Sequence, residues 1–84
     1  MHPEFLPTDL DGMLDHVIEE AAEVILAASK IKRFGPDSTW PIGNPSNNLL
    51  DLINEAEDLR TAVARYAAAQ STKNLTKEDW QGNL

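Results

Sequence analysis

The 84-residue chain contains no cysteine. Disulfides, cysteine-based zinc sites and thiol nucleophiles are therefore excluded, and association with another chain is the remaining way for so short a domain to enlarge its core. No run of about 18 apolar residues is present, so no segment is expected to span a membrane. Met1 to Leu10 holds neither a basic residue nor a long apolar stretch and does not read as a signal peptide. A cytoplasmic protein is the expectation. There is no glycine-rich phosphate loop, and no hydroxyl has the base partner that nucleophilic catalysis requires. Basic residues are scarce: seven Lys and Arg stand against fourteen Asp and Glu, a formal net charge of -7. That balance argues against nucleic acid or an anionic membrane as the main partner.

The acids are unevenly placed. Asp9, Asp11, Asp15, Glu19, Glu20 and Glu23 come without an intervening base, and Lys30, Lys32 and Arg33 follow. Matching of acids and bases to the two ends of a helix dipole accounts for Asp9, Asp11, Lys32 and Arg33. It does not account for Glu20 and Glu23, which fall in mid-helix.

Length and pattern give one all-α domain over residues 1–84. A first helix is expected over about 9–34, capped by Thr8 with Asp11 and ended by Gly35-Pro36. Gly12 weakens its first turns. Residues 35–46, GPDSTWPIGNPS, form a loop. A second helix is expected over about 46–69, with Asn47 and Asn48 as caps, before a polar break at Gln70 to Asn74. Thr76 and Asp79 then suit a short C-terminal turn carrying Trp80. Phe34 and Tyr66 read as core.

Two heptad-like apolar seams run along these helices. One holds Leu10, Leu14, Val17, Ala21, Val24, Ala28 and Ile31. The other holds Leu49, Leu52, Ala56, Leu59, Val63 and Tyr66. Ile18, Ile25 and Ile53 widen the apolar faces beyond what one hairpin can cover. A long antiparallel hairpin that assembles into a four-helix bundle by homo-oligomerisation is the economical architecture.

Beside each seam runs a second stripe at the same spacing. It reads His16, Glu20, Glu23, Ala27, Lys30 on the first helix and Asn48, Asp51, Glu55, Asp58, Ala62, Arg65 on the second. Counted from the loop at about 1.5 Å per residue, the Glu20/Glu23 and Glu55/Asp58 pairs both lie roughly 15 to 19 Å away. In an antiparallel hairpin they face each other. Like charges at about 4 Å and an effective dielectric near 20 repel by roughly 4 kcal/mol per pair, which a cation relieves. All-oxygen ligation suits Mg²⁺ or Mn²⁺, and Mg²⁺ is commonly completed by substrate phosphates. A solvated acidic flank is the plain alternative, and one Glu-x-x-Glu has no weight as a motif. His16, at the head of the stripe, is placed to contact substrate or metal-bound water, but an exposed or capping role is the preferred reading.

The string Glu19-Glu20-Ala21-Ala22-Glu23-Val24, followed by Glu55-Ala56-Glu57-Asp58-Leu59, resembles the EExxE…ExxD signature of MazG-like enzymes. These belong to the all-α nucleoside triphosphate pyrophosphatases. Ser29 to Gly35 and Asn47-Asn48-Leu49 also look like this family, and the resemblance covers residues 14–66. It implies hydrolysis of a nucleoside triphosphate substrate to monophosphate and pyrophosphate with Mg²⁺, or Mn²⁺ as a substitute. By position it implies Glu20, Glu23, Glu55 and Asp58 as metal ligands, with Glu20 also catalytic; Glu19 matches the family's first glutamate but points about 100° away from Glu20, which makes it an outer-shell or base candidate. Lys30 is implied as a phosphate contact. Asn48 and Arg65, which lie on the stripes, and Trp40 in the loop are candidate substrate contacts beside it. A homodimer or dimer of dimers is expected. Departures are present: 31 residues separate Glu23 from Glu55, Ala56 and Glu57 replace the usual Leu and Gly, and Asn54 stands where Glu is common. A non-catalytic helical dimerisation module, a degenerate member of the same family, is the rival reading.

Overall fold

The structure, a computed structural model, describes residues 6–39 and 42–77, with side chains as far as residue 72. Two helices make up the fold: α1, Leu10–Phe34, and α2, Asn48–Lys77. No strand occurs among the described residues. Residues in the first half of α1 adjoin residues near the middle of α2, since His16 and Glu20 share a cleft with Asp58 and Thr61. Later in α1, Glu23 and Ala27 share one with Asn48 and Asp51. The pair is therefore an antiparallel hairpin.

Each helix end has a local cause. Asp9, not Thr8, caps α1, and its carboxylate accepts from the Gly12 amide at 3.4 Å. A Cβ on Gly12 would stand 2.7 Å from both Asp9 Oδ1 and Pro7 Cβ, so glycine here lets the incoming chain fold tightly over the first turn. Gly35 ends α1 at φ +89°, a conformation that side chains disfavour, and its amide returns to the Ile31 carbonyl at 2.8 Å.

The start of α2 is closed by the loop. Its free amides at Asn48, Leu49 and Leu50 donate to Ser38 O, Pro36 O and Asn47 Oδ1, each at 2.9 Å. Asn47 is thus the cap, as its type suggests. Asn48 turns inward instead, and its Nδ2 donates to Gly35 O at 3.1 Å, joining the end of α1 to the start of α2.

Beyond the cap of α1, two more expectations from the sequence are corrected. The second helix does not break at Gln70 to Asn74 but continues to Lys77. The segment is polar yet contains neither Gly nor Pro, and ordinary polar residues do not by themselves stop a helix that Ala67 to Ala69 favour. Thr76 therefore lies within α2 rather than opening a separate turn, while Asp79 and Trp80 fall outside the described residues. Phe34 is no core residue, being 61% exposed.

The inner line of the hairpin follows the polar stripes, not the apolar seams. The buried residues among those described are His16, Ala27, Asn48 and Ala62, all stripe positions. Ala27 and Ala62 are small enough to let the helices approach along this line. The seams lie to one side: Val17, Val24, Leu52 and Leu59 are half-buried, and Leu14, Leu49 and Val63 are exposed. Ile18, Ile25 and Ile53 are 61%, 70% and 53% exposed. The molecule measures 57 × 27 × 15 Å with a radius of gyration of 17.2 Å. A compact domain of this length has a radius of about 12 Å.

Candidate metal centre

Because the stripes are internal, their carboxylates meet. One oxygen each of Glu20, Glu55 and Asp58 lies within 4.8 Å of the other two. Glu20 and Glu55 are half-buried and Asp58 is exposed, so the cluster sits at the edge of the groove between the helices. Counting from the loop had placed these side chains at matching height, and the structure brings the three together. Glu23 is exposed and stands off from the triad, yet it lines a small cleft with Glu55, Lys30 and Asp51.

The electrostatics follow. The Glu55 carboxyl is held above its ordinary range, first by loss of hydration and then by the neighbouring charges of Glu23, Asp58, Glu20 and Asp51. Arg60, the base nearest in sequence, turns outward to pair with Glu57. That exposed pair lowers the Glu57 carboxyl and raises the Arg60 guanidinium through their shared hydrogen bond and charge.

His16 is buried rather than exposed, against the reading preferred from the sequence. It is 8% exposed, and its Nε2 lies 3.1 Å from Glu20 Oε2. An ionised carboxylate only accepts, so the pairing selects a ring with the proton on Nε2. The signal was present in the sequence, since His16 heads the same stripe as Glu20.

The other expected contacts are spread along the groove. Lys30 and Asn48 line both the small cleft and a larger cavity at the loop end. Glu19 is exposed and faces away from the triad. The Arg65 Nη2 donates to the Pro7 carbonyl at 2.6 Å, and its buried Nη1 has no hydrogen-bond partner among the described residues. Arg65 thus holds the segment before α1 rather than reaching the carboxylates. Trp40 lies outside the described residues. Asp51, not singled out from the sequence, lines the groove and accepts from Ser46 Oγ at 2.6 Å.

The donor set fits a hard divalent cation. Oxygens on octahedral Mg²⁺ stand about 3 Å apart when adjacent and about 4 Å when opposite, at bonds of about 2.1 Å, so the three carboxylates would have to draw closer to share one ion. No helix among the described residues is long and apolar enough to cross a membrane. Comparison of the chain with protein-family models, with curated proteins and with solved structures gave no match.

Proposed function

We propose that the chain is a Mg²⁺-dependent nucleoside triphosphate pyrophosphohydrolase, releasing nucleoside monophosphate and pyrophosphate. The observation that carries this reading is the convergence of Glu20, Glu55 and Asp58 within 4.8 Å in the groove between the helices. These three would hold the cation, with Glu23 beside Glu55 as a fourth donor. A bound Mg²⁺ supplies charge neutralisation at the phosphates and a water of lowered pKa. The chain's own part is positioning. His16 fixes the Glu20 carboxylate, Glu55 and Asp58 bring an oxygen each to within 4.8 Å of it, and Lys30 offers a cation further along the groove. The choice of the bond between the α and β phosphates comes from the resemblance of Glu19 to Glu23 and Glu55 to Asp58 to the MazG-like signature. Pyrophosphate release from a panel of nucleoside triphosphates with Mg²⁺ tests the reading.

The working form in this proposal is a homodimer or dimer of dimers, paired through the faces that carry Ile18, Ile25 and Ile53. The only hydrophobic residues buried among those described are Ala27 and Ala62. Two alanines do not stabilise a domain whose unfolding entropy is of order 100 kcal/mol. The same exposed faces favour the second reading, a non-catalytic dimerisation module, in which the acids are a solvated flank. Failure of well-folded, Mg²⁺-saturated protein to hydrolyse any nucleotide would support that alternative.

A further inference from the structure

A cavity of about 350 Å³ opens where the loop meets the hairpin, lined by Lys30, Phe34, Ser38, Thr39, Asn48 and Asp51. The small cleft of about 70 Å³ shares Lys30, Asn48 and Asp51 with it and continues to Glu23 and Glu55. The two form one path along the groove, from the carboxylates to the loop. Glu23 and Glu55 lie at one end of this path, Lys30 and Asp51 line both clefts, and an aromatic ring and two hydroxyls lie at the loop end. At about 1.5 Å per residue, Lys30 lies about 10 Å beyond Glu23, and Phe34 about 6 Å beyond Lys30. A nucleotide has the matching order of phosphates, sugar and flat base.

We infer that the loop-end cavity binds the nucleoside portion of a nucleoside polyphosphate, with the Phe34 ring as its stacking face and Asn48 as its polar anchor. The inference rests on the metal-site reading for the direction in which the phosphates lie. It does not need that reading for the cavity itself. The volume falls within the range of small-molecule sites. Phe34 is 61% exposed beside the opening, and the Arg33 guanidinium lies 5.1 Å from its ring centroid, which steadies the ring from one side. Asn48 is 8% exposed, and its amide nitrogen is spent on Gly35 O. Its Oδ1 accepts no hydrogen bond from the described residues, so it is an oriented acceptor for a base N–H or a sugar hydroxyl. Lys30 has no ion-pair partner among the described residues and stands where the cavity turns toward the acids.

Amide NMR spectra of the full chain test this with three probes: unphosphorylated nucleosides without metal, inorganic tripolyphosphate with Mg²⁺, and nucleoside triphosphates with Mg²⁺. The nucleosides should shift Phe34, Ser38, Thr39 and Asn48 and leave Glu20 and Glu55 in place. Phe34→Ala should weaken nucleoside triphosphate binding at least tenfold and tripolyphosphate binding less than twofold. Phe34 is exposed, so the variant should fold, and Ser38→Trp, which fills the cavity, should give the same selective loss. Nucleosides that shift nothing at the cavity, or variants that weaken both triphosphates equally, would overturn the inference. Cavity shifts with nucleosides but no response of the carboxylates to Mg²⁺ would support the cavity and remove the metal site instead.

Discussion

His16 and Glu20 stand one helical turn apart on α1, and the imidazole Nε2 lies 3.1 Å from the Glu20 carboxylate inside the groove. With side chains only 10% and 14% exposed, the pair is the best-sheltered polar contact near the triad. Ligating carboxylates are commonly held by such neighbours, whose loss lowers metal affinity by about 10–100-fold. His16→Leu should therefore weaken Mn²⁺ binding by about tenfold or more, measured by calorimetry. His16→Gln, whose amide nitrogen reaches a similar point, should restore most of it. Equal affinity in all three proteins would remove His16 from the site.

Glu55 gives the pH dependence. Its folded-state pKa is raised above the unfolded value, so between the two values the folded chain binds more protons than the unfolded one. Its contribution therefore destabilises the metal-free protein at neutral pH, and that cost fades as pH falls through the window just above the ordinary carboxylate range. Glu55→Gln should melt higher than wild type at pH 7 without metal, with the gap closing toward pH 4. Mg²⁺ should raise the wild-type melting temperature by several degrees and leave Glu55→Gln nearly unmoved. A gap that widens on acidification would contradict the assigned cause.

Gly12 offers a test against simple helix propensity. Alanine in a helix is favoured over glycine by about 1 kcal/mol. Here the added Cβ meets Pro7, whose carbonyl is tied to Arg65 from across the hairpin. Gly12→Ala should lower stability by about 1 kcal/mol or more in chemical denaturation, with the sign opposite to propensity. A stabilised variant would mean that the segment before α1 yields freely.

Much of this architecture could be read from residue types. Gly35-Pro36 marks the end of α1, Asn47 caps α2, and the spacing of Glu20, Glu55 and Asp58 from the loop sets their common height. The inside of the hairpin could not be read in the same way. A heptad seam states that a face will be covered, not whether the cover comes from the same chain. Here Ala27 and Ala62 draw the polar stripes inward, and His16 goes with them. The exposed Phe34 was hidden for a related reason: its place at the last turn of α1 gives no sign that the loop leaves a cavity beside it.

The outward seams carry a prediction of their own. Ile18→Glu and Ile53→Glu each place a charge in the face proposed to pair with a second copy, without touching the carboxylates. Each should lower the mass found by light scattering and make the melting temperature steeply concentration-dependent. A folded wild-type monomer at micromolar concentration would rule out the pairing.

The carboxylates at the edge of the groove are proposed to serve phosphoanhydride hydrolysis, and product analysis tests this most directly. Wild-type protein with Mg²⁺ and a panel of nucleoside triphosphates should yield nucleoside monophosphate and pyrophosphate as first products. Glu20→Gln should lose turnover by orders of magnitude with its helicity intact, and Lys30→Ala should lose less. Orthophosphate and diphosphate as first products, or full activity in Glu20→Gln, would contradict the account.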